Sequence, residues 1–167
     1  MTAAASRASI PVAVDVTVES ELWAACPEAE NTVLRAIAAA AEAAQTGGEV
    51  AVLLTDDSAV RQMNARWRGI DKPTNVLSFP AGESTTAPGE IHLGDIAIAY
   101  ETVAAESGAE NKAFADHLAH LAVHGYLHLV GFDHETDPEA ADMEHLETRI
   151  LSSLGITDPY ADPAFAD

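Results

Sequence analysis

The feature that most constrains this 167-residue chain is an apolar helical pattern that carries histidines along one side. The pattern covers residues 111–130, and the stretch from His117 to Phe132 contains no Asp, Glu, Lys or Arg. With 3.6 residues per turn, its four histidines fall within an arc of roughly 80°. They are His117, His120, His124 and His128. Because the rest of the helix is almost wholly apolar, we expect it to be buried, with the histidines facing an internal cleft.

The end of this segment has the spacing of a metal site. His124 and His128 are four residues apart, which places both imidazoles on one helix face, one turn apart. Gly131 can take the left-handed conformation that ends a helix, and the following turn brings His134 back to the same place. Three nitrogen ligands leave a fourth tetrahedral position open, as in catalytic zinc sites. A metal also relieves the cost of burying unpaired histidines, so the spacing predicts a metal site.

Gly125 distinguishes this pattern from that of the zinc peptidases. The histidine spacing matches the motif H-E-x-x-H-x-x-G-x-x-H, whose glutamate is the general base of peptide hydrolysis. Gly125 stands at the position of that glutamate. We therefore expect the chain to bind a metal through the same histidine positions as the zinc peptidases but to catalyse a different reaction.

Hydrophobic periodicity predicts strands in the first part of the chain and helices in the last part. The predicted strands cover residues 10–18, 49–55, 76–80 and 91–99. The predicted helices cover residues 27–45, 100–107, 111–130 and 137–154, with one more that Asp56 or Asp57 caps and Gly69 ends. Gly108 is expected to separate two of these helices, and residues 81–89 to form a loop. This order favours a single α/β-type domain over residues 1–167, with loose tails at 1–9 and 157–167.

The charge of the chain is strongly acidic but unevenly distributed. The net charge is −19, which argues against general nucleic-acid binding because phosphate neutralisation needs Lys and Arg. Half of the basic residues nevertheless fall within twelve positions, with Asp71 as the only acid between Ser58 and Gly82. These basic residues are Arg61, Arg66, Arg68 and Lys72. Charge alone favours a solvated helix face here, with a local anion site as the alternative.

Cysteine content and hydropathy indicate the compartment. Cys26 is the single cysteine, which excludes an internal disulfide and a cysteine-rich metal site. No apolar run is long enough to span a membrane, and the first residues lack a secretory signal pattern. We expect a cytoplasmic protein without membrane partners.

Three motifs of this sequence match the conserved motifs of one known protein family. The run HGYLHLVGFDH from His124 to His134 is very similar to the family signature. The run NARWRGIDKPTNVLSFP from Asn64 to Pro80 resembles the family block N-x-x-[YW]-R-x-x-D-x-P-T-[DN]-V-L-S-F-P. The run LGDI from Leu93 to Ile96 resembles a family strand. Together the three motifs span about residues 64–134 and, in this order, resemble the YbeY family, the metal-dependent bacterial endoribonucleases that act on ribosomal RNA.

This resemblance implies an α+β fold, with a mixed four-stranded sheet packed against helices and a buried metal-binding helix. It implies that one Zn²⁺ ion is bound by His124, His128 and His134, and that Arg68 is the cleft arginine important for activity. The implied activity is single-strand-specific RNA cleavage in small-subunit ribosomal RNA 3′-end processing and in ribosome quality control. The implied partners are ribosomal RNA and the ribosome, whereas DNA is not expected. Position 75, often aspartate in the family, is Asn75 here.

Four further residues could belong either to the site or to the general fold. Asp133 and Asp95 could accept hydrogen bonds from metal-bound imidazoles, although each could equally be an ordinary turn or strand-end aspartate. His120 could line the cleft or form a hydrogen bond in the core. Trp67 could stack on a base, but its spacing with Val60 and Met63 favours core packing.

The sequence allows more than one catalytic base, attacking group and function. Asp133, Glu135 or the metal site itself could supply the base, and the attacking group could be water or the ribose 2′-hydroxyl. One alternative function is a non-catalytic ribosome assembly factor with a structural zinc, and another is a different metallohydrolase. Because the chain is acidic, we also expect a protein partner to bring it to the ribosome.

Overall fold

The computed structural model of this chain describes residues 11–81, 91–133 and 135–156. Within these ranges, strands β1 to β4 cover Val12–Val18, Gly48–Thr55, Val76–Pro80 and His92–Ala99. Helices α1 to α5 cover Ala29–Ala44, Asp57–Arg68, Tyr100–Ala109, Phe114–Leu129 and Asp137–Ser153, and a short 3-10 helix covers Glu21–Ala25. None of the described helices is long and apolar enough to cross a lipid bilayer.

The four strands form one mixed sheet in the order β1-β2-β4-β3. β1 and β4 both run parallel to β2, whereas β3 lies antiparallel to β4 at the edge of the sheet. This arrangement confirms the expected α+β fold with a mixed four-stranded sheet. It also leaves the outer side of β3 open, and the cavity described below forms there.

The two faces of the sheet are covered unequally. One face presents branched residues of β2 and β4, such as Val52, Leu54 and Ile98, to the main core formed with α1, α4 and α5. The other face packs a smaller cluster against α2, centred on Val60 and Leu77. Because α2 is the only helix on this second face among the described elements, part of the sheet there borders a second cavity.

Helix α4, which carries the histidines, is buried in this core as the sequence predicts. Leu118, Ala122 and Tyr126 have no exposed surface. The helix ends at Leu129, and Gly131 then adopts a φ of 103°. The Phe132 amide donates to the Leu127 carbonyl oxygen at 3.0 Å, which closes the turn. The expected helix end and left-handed glycine are therefore confirmed.

Gly94 explains the LGDI motif in structural terms. Its φ is 145°, a conformation that side-chain-bearing residues rarely adopt. A Cβ at this position would overlap the Phe79 carbonyl oxygen of β3 and lie 2.8 Å from Leu129 Cδ2. The glycine thus allows β3, β4 and the end of α4 to approach closely.

Most predicted elements match the structure to within one or two residues, but the assignment of Gly108 is wrong. Gly108 lies inside α3, which continues to Ala109. The left-handed residue after this helix is Asn111, with a φ of 56°. Asparagine tolerates that conformation better than most residues, and the Lys112 amide donates to the Ser107 carbonyl oxygen at 2.9 Å. The predicted tails and nearly all of the 81–89 loop lie outside the described residues.

Candidate functional site

A cavity of about 700 Å³ lies between α4 and the open side of β3. All four histidines of α4 line it, as the sequence predicts for the polar stripe of this helix. Arg68 from the end of α2 and Asp133 from the turn after α4 line the same cavity. The fold therefore brings most of the predicted site residues to one place. The lining histidines are His117, His120, His124 and His128.

Two of these histidines converge on one point. The Nε2 atoms of His124 and His128 lie 3.1 Å apart. Two imidazole nitrogens bound to one tetrahedral zinc, each at about 2.0–2.1 Å, would lie about 3.3 Å apart. The spacing of this pair therefore fits a shared metal ion.

Glu147 fixes the orientation of His124. Its side chain has no exposed surface, and His124 Nδ1 donates to Glu147 Oε2 at 2.6 Å. A proton held on Nδ1 leaves the Nε2 lone pair directed to the cavity, which is the form of imidazole that binds a metal. The other carboxylate oxygen of Glu147 lies 3.6 Å from His120 Nε2. His120 therefore lines the cavity and also faces this carboxylate.

Glu147 is not among the site residues predicted from the sequence, although its position on α5 carries a signal. Met143, Ile150 and Leu151 are all buried on α5. Glu147 follows Met143 by four residues and precedes Leu151 by four, so it belongs to the same buried face. A glutamate on the apolar face of a helix needs a partner in the core, because an unpaired buried carboxylate is unstable.

A second carboxylate pairs with the first histidine of the row. His117 Nε2 lies 2.8 Å from Glu106 Oε1, and Asn75 Nδ2 donates to the same oxygen at 3.0 Å. His117 is buried, and its Nδ1 has no hydrogen-bond partner among the residues that the structure describes. Glu106 and Glu147 thus offset part of the cost of burying the histidines, which the sequence alone attributes to a metal. Asn75 takes part in this network through its amide, without a carboxylate.

The basic residues before β3 differ in whether they form an ion pair. Arg61 forms two hydrogen bonds with Asp71, at 2.7 and 3.2 Å, and this pairing raises the pKa of Arg61 and lowers the pKa of Asp71. Arg68 is exposed and forms no ion pair with another described residue. Elsewhere in the cavity lining, a hydrogen bond from Lys112 lowers the pKa of Glu110. Arg68 is therefore a cation in the cavity that is available to a bound anion.

Within the described ranges, no three His, Cys, Asp or Glu side chains surround one point. His134, the third predicted ligand, lies outside those ranges, and Asp133 before it lines the cavity. The structure does not bring Asp95 to the histidines of α4. Asp95 lies on β4, where it lines a second cavity and is 3.4 Å from His92 Nε2.

The expectation that Trp67 packs in the core is wrong. Its side chain is 66% exposed, although it shares a helix face with Val60 and Met63. The reason is that this end of α2 extends over the second cavity rather than over a packed part of the sheet.

Comparisons with known proteins identify the family. A family model described as Endoribonuclease YbeY matches residues 17–155. The chain belongs to this family. It is 57% identical to the Endoribonuclease YbeY of Rhodopseudomonas palustris strain BisA53 over 164 residues, which cover 95% of each chain. It is 59% identical to that of strain CGA009 over 152 residues, covering 88% of this chain and 80% of the relative. A Thermotoga maritima protein solved in solution shares 23% identity, with a TM-score of 0.48 over 89% of this chain and 99% of its own.

Membership in the YbeY family confirms the resemblance that the three motifs predict. It also confirms the class of enzyme, an endoribonuclease, which cleaves phosphodiester bonds within RNA.

Gly125 has a structural role where the zinc peptidases carry their glutamate. A Cβ at this position would lie 3.2 Å from both Ile96 Cγ2 and Ser78 Oγ. Ser78 Oγ also donates to the Gly125 carbonyl oxygen at 3.0 Å. Helix α4 therefore packs directly on β3 and β4 at this residue, and a glutamate side chain has no space there.

Gly125→Glu is expected to lower the free energy of unfolding by about 3 kcal/mol or more, because it overpacks the interface and buries a carboxylate. It is also expected to yield no peptidase activity. Urea unfolding followed by circular dichroism measures the first effect. Gly108→Ala is the control, since nothing lies within 4 Å of its added Cβ in helix α3, and it should stabilise the protein by about 0.5–1 kcal/mol. An unchanged urea midpoint for Gly125→Glu would contradict the close packing.

Proposed function

We propose that this chain is a zinc-dependent endoribonuclease that cuts single-stranded RNA in the histidine cavity. The observation that carries the proposal is the convergence of His124 and His128 Nε2 in the cavity that Arg68 also lines. Imidazole nitrogens suit zinc, and a guanidinium suits a phosphodiester because its planar fork can donate two hydrogen bonds. One wall of the cavity therefore fits a metal ion, and another fits the charged group of the substrate.

The donor set in the described residues fits a catalytic metal. His124 and His128 would hold the ion, and His134 is proposed as the third ligand from its place in the family signature. When bound, the zinc would lower the pKa of a coordinated water molecule and polarise a phosphoryl oxygen. Glu147 contributes by keeping a proton on His124 Nδ1, which preserves the metal-binding form of the imidazole.

The other steps belong to side chains of this chain. Arg68 binds the phosphodiester and offsets the negative charge that grows in the transition state. Asp133 lines the cavity and is the nearer of the two proposed proton acceptors, whereas Glu135 is exposed and does not line it. Gly125 supplies no base, so the glutamate-dependent route of the peptidases is not proposed.

The proposed substrate is ribosomal RNA, in 3′-end processing of the small-subunit RNA and in ribosome quality control, as the family motifs imply. A cavity of about 700 Å³ is the size of a small-ligand site, which favours an unpaired nucleotide over a duplex. The net charge of −19 weakens binding to bulk RNA. We therefore propose that a ribosome-associated protein brings the chain to its substrate.

Removal of the metal tests this function. Protein stripped with a chelator is expected to lose cleavage of a labelled single-stranded RNA and to regain it when one equivalent of zinc is added. DNA of the same sequence and a peptide substrate should remain uncut throughout. Undiminished RNA cleavage by protein shown by elemental analysis to be metal-free would exclude the proposal.

The same experiment separates a catalytic from a structural zinc. Helix α4 is held by apolar packing of Leu118, Ala122 and Tyr126, which does not depend on a metal. We therefore expect the circular dichroism spectrum to survive chelation. Unfolding on chelation, together with no RNA cleavage by the zinc-loaded protein, would instead support the non-catalytic assembly factor.

A further inference from the structure

A second cavity on the opposite face of the sheet meets the histidine cavity at Arg68. Its volume is about 910 Å³, and strand residues such as Leu53 and Phe79 form part of its wall. Arg68, Ser78 and Pro80 line both cavities. An extended ligand bound at the histidines can therefore continue round the edge strand β3 into the second cavity.

Trp67 stands on the wall of this second cavity. Its ring is 66% exposed, while Val60 on the same helix face is fully buried. The guanidinium carbon of Arg66 lies 5.2 Å from the centre of the ring, within the range of a cation–π contact. A large, flat apolar surface is thus exposed next to the residue that joins the two cavities.

The charge around Trp67 favours a polyanion. Arg61 is neutralised by Asp71, whereas Arg66 lies against the ring and Arg68 lines the same cavity, both as exposed cations. This arrangement occurs in a chain whose net charge is −19. Basic residues beside an exposed aromatic ring are the typical means of binding a single-stranded nucleic acid, because phosphates meet the cations while bases stack on the ring.

We propose that Trp67 stacks on a base of a single-stranded RNA. The neighbouring nucleotides of this RNA contact Arg68 and enter the histidine cavity. The inference rests on the proposed function and adds a second binding position to it. Glu19 and Asp95 also line the second cavity and repel phosphate. We therefore place the sugar-phosphate backbone at the edge of the second cavity near Arg68, with only the base directed into the cavity.

Binding of an RNA that cannot be cut tests the proposal without catalysis. The probe is a short single-stranded oligonucleotide with 2′-O-methyl riboses and a fluorescent label, titrated with zinc-loaded protein. Trp67→Ala is expected to weaken its binding about 5- to 150-fold, the range measured for loss of one base–aromatic stack, and Trp67→Phe should restore part of the affinity. The control is Ile70→Ala, another exposed apolar residue that lines neither cavity.

Intrinsic fluorescence gives a second signal, because the chain has two tryptophans in different surroundings. Trp23 is buried, with its Nε1 donating to the Thr55 carbonyl oxygen at 2.8 Å. RNA should therefore quench the emission of Trp67, and the quenching should vanish in Trp67→Phe. With a cleavable RNA, Trp67→Ala should raise KM and leave kcat unchanged, because Trp67 does not touch the reacting bond.

The outcomes separate this inference from the proposed function. Unchanged affinity in Trp67→Ala, or an equal loss in Ile70→Ala, would overturn the stacking position even if the enzyme cuts RNA normally. Tight RNA binding that depends on Trp67 would support it even if the protein never cuts RNA. Binding of an RNA duplex and a single strand with the same dependence on Trp67 would also overturn it, since paired bases cannot stack on the ring.

Discussion

Replacement of His128 by alanine is expected to reduce the zinc content of the purified protein from about one ion per chain to a trace. RNA cleavage should fall by about a thousandfold, since the metal supplies several kcal/mol of transition-state stabilisation. The physical reason is that His128, whose Nε2 lies 3.1 Å from His124 Nε2, is one of three proposed ligands, and the two that remain are too few to hold the ion tightly. Elemental analysis and cleavage of a labelled single-stranded RNA give the two measurements.

The matched control is His145→Ala. His145 is exposed on α5, and it does not line the histidine cavity. This variant should retain both zinc and activity. Full zinc content in His128→Ala would show that the metal is bound elsewhere, and the proposed centre would then be wrong.

Glu147→Gln is expected to weaken zinc binding without abolishing it. The glutamine keeps the shape of the buried side chain but removes the charge that holds the His124 Nδ1 proton. Loss of such a partner typically lowers metal affinity about 10- to 100-fold, which competition with a zinc-binding dye can measure. Glu144→Gln on the exposed side of the same helix should have no effect.

Arg68→Ala is expected to lower kcat about 10²- to 10³-fold while zinc content and the urea midpoint stay unchanged. Arg68 lines the cavity and forms no ion pair with another described residue, so its removal breaks no structural contact of that kind. What is lost is a cation directed at the charge that develops on the phosphate. Steady-state cleavage of single-stranded RNA measures the effect.

Arg68→Lys and Arg35→Ala complete the comparison. Lysine keeps the charge but loses the planar fork, so we expect activity between that of the parent and that of the alanine variant. Arg35 is exposed on α1 and lines neither cavity, and its replacement should be neutral. If Arg68→Ala cut RNA as fast as the parent, the proposed role of the guanidinium would be refuted.

Features with a local cause were predictable from the sequence. The stripe of histidines on α4 follows from helical periodicity, and the helix end at Leu129 follows from Gly131. The approach of His124 to His128 likewise needs only the spacing of one turn. The family motifs then implied the mixed sheet, which the structure confirms.

Contacts between distant segments were not predictable in the same way. Glu147 follows His124 by 23 residues, and its contact depends on how α5 packs against α4. The pairing of Glu106 with His117 depends on the turn in which Asn111, rather than Gly108, takes the left-handed conformation. Asp95 was separated from the histidines because successive strand residues face opposite sides of the sheet.

By itself, then, the sequence determined the histidine helix, the order of the elements and the family. Those properties depend on residue spacing along one segment, which helical and strand periodicity converts directly into geometry. Only the tertiary structure decided that Glu147 would hold His124 and that Trp67 would face a cavity rather than the core. These outcomes depend on where neighbouring elements end and how they pack, and no local pattern specifies that.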